Sequence, residues 1–79
     1  MTYKQKTKRT NANLAEYLKI ARRSKDLTMA QLADILGTKQ STIGKVELSN
    51  RRLDIAEFVY YCIALGRDPV KELRQVASF

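Results

Sequence analysis

Helix punctuation constrains this chain more than any other feature. Thr28 with Gln31, and Asp54 with Glu57, stand at the spacing in which a side-chain oxygen at the helix start and a side chain three residues on satisfy each other's backbone amides. Asp68 followed by Pro69 marks a third start, with aspartate as cap and proline at the first helical position. Gly37 and Gly66 mark stops, because glycine readily adopts the left-handed conformation that ends a helix. Between these marks the apolar residues recur at helical spacing. Leu14, Tyr17, Leu18 and Ala21 form one stripe, capped from Asn11 or Asn13, and Leu32, Ala33 and Leu36 form a second. Ile43 and Val46 point inward from a third helix over about residues 39–48. Ile55, Phe58, Val59, Cys62 and Leu65 give a fourth core face, and Val70, Leu73 and Val76 a fifth. No run alternates as a strand would. The fold class is all-α, with five short helices.

A chain of 79 residues has room for one small domain. Residues 1–10 are polar and aperiodic and are expected to form a flexible basic arm; residues 11–79 are the domain. Cys62 is the single cysteine and histidine is absent, so an internal disulfide and a Cys/His zinc site are excluded. The commonest general base is missing too, and no glycine-rich phosphate loop or Ser/Asp constellation replaces it. No catalytic residue, metal or cofactor is expected. No apolar stretch reaches the roughly 20 residues that span a bilayer, so the expected setting is a reducing cytoplasm.

Charge indicates the kind of partner. Lys and Arg number 15 against 8 Asp and Glu, a net charge of +7. Residues 1–25 carry eight basic residues and the single acid Glu16, whereas residues 26–79 balance at seven of each. The excess lies in the arm (Lys4, Lys6, Lys8, Arg9) and the helix after it. Such a segment is the footprint of a polyanion. Tyr3 is the arm's only large apolar side chain besides the initiating Met1, too little to enter lipid as an amphipathic helix. Nucleic acid is favoured over a membrane.

Residues 29–47 combine what two steeply crossing helices require: a small residue at the close approach (Ala33), glycine in the turn (Gly37), and inward apolar residues on the second helix (Ile43, Val46). The outer face of that second helix is then left to enter a major groove roughly 12 Å wide. Three segments, Leu27-Thr28-Met29-Ala30-Gln31-Leu32-Ala33, Leu36-Gly37-Thr38 and Ser41-Thr42-Ile43-Gly44-Lys45-Val46-Glu47, are followed by a closing Ala64-Leu65-Gly66. In this order the chain resembles the phage repressor and Cro-type (XRE-like) helix-turn-helix family, from about Leu14 to Leu73. The resemblance implies a five-helix repressor-like domain whose second and third helices form the motif. It implies base reading by Gln40, Ser41, Gly44 and Lys45, and phosphate contacts by Thr28, Lys39, Thr42, Asn50, Arg51 and Arg52. It also implies an ion pair between Arg22 and Glu47. Two positions depart from the family pattern: Met29 stands where glutamine is frequent, and Ser49 where glycine is usual.

The expected function is a sequence-specific transcriptional regulator, a homodimeric repressor on a pseudo-palindromic operator of double-stranded DNA. The dimer is expected to form through the fifth helix and the edge of the fourth, at Tyr61, Leu65, Leu73 and Val76. The alternative is an antitoxin or adaptor that binds a partner protein and regulates itself through the same domain. Non-specific nucleoid binding is a third reading, distinguished by equal affinity for random and operator DNA.

Overall fold

In a computed structural model describing residues 1–78, five helices follow one another: α1 (Tyr3–Ser24), α2 (Met29–Leu36), α3 (Gln40–Glu47), α4 (Ile55–Ala64) and α5 (Pro69–Ala77). The expected capping boxes are formed at Thr28–Gln31 and Asp54–Glu57, and Asp68 caps α5 with Pro69 in its first turn.

The first helix departs from expectation. Residues 3–10 are helical rather than a flexible arm, and neither Asn11 nor Asn13 is a cap. The helix starts at Thr2, whose Oγ1 accepts from the Gln5 amide while Gln5 Oε1 accepts from the Thr2 amide. This is the same Thr-x-x-Gln box that opens α2, followed by Lys6, Lys8 and Arg9, which suit a helix without needing a buried face. Apolar periodicity could not reveal this extension, because the extension buries almost nothing.

Four helix ends share one turn. Asp26, Gly37, Ser49 and Gly66 all take positive φ, between 57° and 70°. At each, this residue's amide and the next reach back to carbonyls of the last helical turn, as in Thr38 N to Ala33 O at 2.9 Å and Asn50 N to Lys45 O at 2.8 Å. Serine therefore performs at the end of α3 what glycine performs at the ends of α2 and α4.

Leu18 and Ala21 of α1, Leu32 and Ala33 of α2, Ile43 and Val46 of α3, and Tyr61 with Leu65 from α4 and its C-cap form the core. α2 packs on α3 and on α4, α1 spans from α3 to α5, and α5 leans on α4. The buried face of α4 runs through Phe58, Tyr61, Cys62 and Leu65, whereas Ile55 is exposed and Val59 only half-buried. This helix is apolar on nearly every side, so periodicity alone did not set its rotation. The stripe expected to bury α5 turns outward at Val70 and Leu73; Val76 is half-buried. What α5 buries is Glu72, which accepts from the Tyr17 hydroxyl of α1 and from Arg67 Nη1 at 3.3 Å. That hydrogen bond and burial raise the Tyr17 pKa. No helix among the described residues is long and apolar enough to cross a membrane.

Candidate nucleic-acid interface

Burial of Ile43 and Val46 fixes the rotation of α3, and the opposite face follows from it. Gln40, Ser41 and Lys45 are exposed; Thr42 and Gly44 are half-buried at its margins. Lys39 is the N-cap of α3 and makes no side-chain cap hydrogen bond; the Thr42 amide donates instead to the Lys39 carbonyl at 3.0 Å. A Cβ built on Gly44 would stand 4.0 Å from Met29 Sδ, an ordinary contact. Met29 thus lies beside the margin of α3 at Gly44 without crowding it.

Two flanks border this face. At the start of α2, Thr28 Oγ1 accepts from the Gln31 amide at 3.1 Å, and the Thr28 amide is itself taken by Gln31 Oε1 at 2.8 Å. The donors left for an anion there are the Thr28 hydroxyl and the amides of Met29 and Ala30. On the other flank lies the loop after α3. Asn50 and Arg52 are exposed there, while Arg51 donates from Nη2 to Glu57 Oε2 at 2.5 Å. That hydrogen bond, together with the Asp54 amide, lowers the Glu57 pKa. Arg51 is therefore shared with a carboxylate, and Arg52 is the more available of the two guanidinium groups.

Arg22 and Glu47 meet in a buried two-pronged contact. Nε donates to Oε2 at 2.6 Å and Nη2 to Oε1 at 2.9 Å, with Nη1 on the Leu27 carbonyl at 2.6 Å. Their side chains are 7% and 2% exposed, so this is a desolvated pair. One guanidinium thus joins the end of α1, the α1–α2 turn and the last residue of α3. The bonded carboxylate raises the Arg22 pKa further, keeping it charged.

The expected dimer residues do not share a surface. Tyr61 and Leu65 are 2% and 3% exposed and belong to the core, so neither reaches a partner without unfolding. Leu73 is exposed and Val76 half-buried; the α4 side chains that do face out are Tyr60 and Ile63. The neighbour of an exposed aromatic was the buried one. A second feature that sequence spacing did not show lies at the exit of α3. Asn11 Nδ2 donates to Ser49 Oγ at 2.9 Å, tying the middle of α1 to the turn residue that replaces glycine.

Two helices packed through a three-residue turn, the second presenting a solvent-facing polar side beside basic loops, define a helix-turn-helix DNA-binding unit. The helix-turn-helix family model matches residues 18–71, more than half of the chain. Among solved structures, the chain is similar to an XRE-family like protein from Pseudomonas syringae pv. tomato str. DC3000. Identity is 33% and the TM-score 0.88, over 95% of this chain and 92% of that one. Comparison with curated proteins gives no match. The chain belongs to the XRE-like helix-turn-helix family, whose members are DNA-binding transcription regulators.

Proposed function

We propose that this protein is a homodimeric transcriptional repressor of the cytoplasm that binds a pseudo-palindromic operator, with α3 of each subunit in the major groove. The exposed polar face of α3 carries this reading. Gln40 and Ser41 lie at the N-terminal end, which enters the groove deepest, and Lys45 stands about one turn further along. Glutamine pairs with adenine through two hydrogen bonds, lysine with guanine, and serine with either. Gly44 lets the helix approach the base edges closely. On this reading Thr28 and Lys39, with Thr42 beside Arg51 and the loop residues Asn50 and Arg52, hold phosphates and set register. The exposed stripe of α5, Val70 and Leu73 with Val76, together with Ile63 of α4, supports a two-fold contact between copies. Such a dimer sets two reading helices roughly 34 Å apart, one turn of DNA.

Selection of bound fragments from a random DNA pool, followed by binding to every single-base variant of the selected site, tests the reading. Gln40→Ala should lose discrimination at one base position per half-site, worth about 1–3 kcal/mol, while binding to random DNA persists. A uniform loss across all variants would remove Gln40 from the reading face. Co-purification of a second protein in equal amount, with α5 covered by it, would favour the antitoxin or adaptor alternative over the homodimer.

A further inference from the structure

The helical extension of α1 and the loop after α3 enclose a groove of about 440 Å³ on the flank of the candidate interface. Lys6, Thr7, Thr10 and Asn11 give one wall its polar groups and Arg52 the other, while Tyr3, Leu14 and Leu53 make much of the surface between them apolar. No acidic residue lines it. Along α1 the first acid is Glu16, after Lys4, Lys6, Lys8 and Arg9, so no carboxylate earlier in the helix offsets their charge. The two walls are joined by the Asn11–Ser49 hydrogen bond, which fixes the extension to the exit turn of α3 rather than leaving it to swing. The family match begins at residue 18, so the wall formed by α1 lies outside it.

We propose that this groove is a second phosphate-binding site, holding the sugar–phosphate backbone of the same duplex that α3 faces. The inference rests on the DNA-binding reading above and adds to it a contact beyond the half-site. Three observations converge on a phosphodiester strand. The Thr7 hydroxyl is used by the Lys4 carbonyl and the Asn11 amide by Ser49, which leaves the lining to offer the Lys6 ammonium, the Arg52 guanidinium and the Thr10 hydroxyl with no carboxylate among them, the chemistry that backbone phosphates select. Arg52 belongs both to the loop flanking α3 and to the groove, so the site is continuous with the interface. The stretch from Asn11 to Tyr3 runs on for about 12 Å at the helical rise, far enough to follow the backbone past the bases that α3 faces. A fixed helical wall also loses less freedom on binding than a disordered arm would.

Binding of the full chain to its selected operator and to a random duplex, measured across a range of salt, tests the proposal. Lys6→Gln and Arg52→Gln should each weaken both DNAs and reduce the slope of log K against log salt by about 0.9, and the double variant by about twice that. The base-preference profile should not change. Lys71→Gln, the same loss of charge on exposed α5, should leave the slope alone, and thermal melting of each variant controls for folding. Hydroxyl-radical footprints should lose protection beside each half-site in Lys6→Gln only if this wall touches backbone. A Lys6→Gln slope equal to wild type, or a Lys71→Gln slope reduced as much, would overturn the proposal. So would capture of poly-glutamate that depends on Lys6 while the DNA slope does not. If wild type shows no base preference, the operator reading fails instead, and the slope on random duplex still reports on the groove.

Discussion

Asp26 and Gly37 occupy equivalent turn positions with opposite chemistry, and their substitutions should have opposite signs. At Gly37, φ of 69° suits glycine and nothing lies within 4 Å of a built Cβ, so the cost of Gly37→Ala is purely conformational. It should destabilise the domain by about 1 kcal/mol. Asp26 holds φ of 57° with an L side chain, and Asp26→Gly should stabilise the domain by up to about 1 kcal/mol, read as a higher melting temperature. Equal signs in thermal melts of the two variants would contradict this account. Ser49 pays the same backbone strain, but its hydroxyl accepts from Asn11, which a glycine there would forfeit. Glu57 gives a residue-scale pH prediction. Its pKa is depressed by Arg51, so the pair's contribution is present above the ordinary glutamate range and is lost as pH falls through the lowered folded value. Titration of the Glu57 carboxyl carbon by NMR should show a midpoint below that of a model glutamate, and Arg51→Ala should move it upward.

At the scale of elements, the placement of α3 depends on two kinds of contact. Ile43 and Val46 bury its inner face, and Glu47 ties its last turn to Arg22 of α1. Removing one member of a buried ion pair leaves the other charge uncompensated, so Glu47→Ala should cost about 3–5 kcal/mol. The double variant with Arg22→Met should recover part of that loss, and a chemical-denaturation cycle with zero coupling would disprove the pair's role. Gly44→Ala separates folding from reading on the same helix. Only Met29 Sδ stands near the added methyl, so helix propensity should stabilise the free protein by up to about 1 kcal/mol. If α3 needs close approach at that position, operator affinity falls while stability rises. The docking of α5 follows different physics: a buried carboxylate held by Tyr17 and Arg67 anchors it, and Val70 and Leu73 are left outside.

For the molecule as a whole, the proposed dimer makes those outward apolar residues the contact between copies. Val70 and Leu73 are 62% and 47% exposed in a single copy. Their replacement, as Val70→Lys with Leu73→Lys, should leave melting of the monomer nearly unchanged because neither belongs to the core. Sedimentation should then show a monomer at concentrations where wild type is dimeric, and operator affinity should drop more than affinity for a single half-site. A wild-type chain that sediments as a monomer, alone and on DNA, would dispose of the two-fold arrangement.

Local chemistry made much of the molecule legible in the sequence. Caps and stops such as Thr28–Gln31, Gly37, Asp54–Glu57 and Asp68–Pro69 act within a few residues, so they mark α2, α4 and α5 without knowledge of neighbours. The Ala33–Gly37–Ile43–Val46 spacing likewise fixes which side of α3 is inner, and therefore that Gln40, Ser41 and Lys45 face out. The extension of α1 was legible too, through Thr2 and Gln5, but only as a cap without a core face behind it. Tertiary structure alone decided the rest. Which side of the uniformly apolar α4 turns inward depends on what α2 and α5 offer it, so Tyr61 and Leu65 are core rather than interface. The sharing of Arg51 with Glu57, the seating of Asn11 on Ser49 and the groove beside Arg52 are contacts between different elements, most of them distant in sequence. A pattern along one helix carries no term for a partner it has not yet met, and these contacts exist only once the helices have packed.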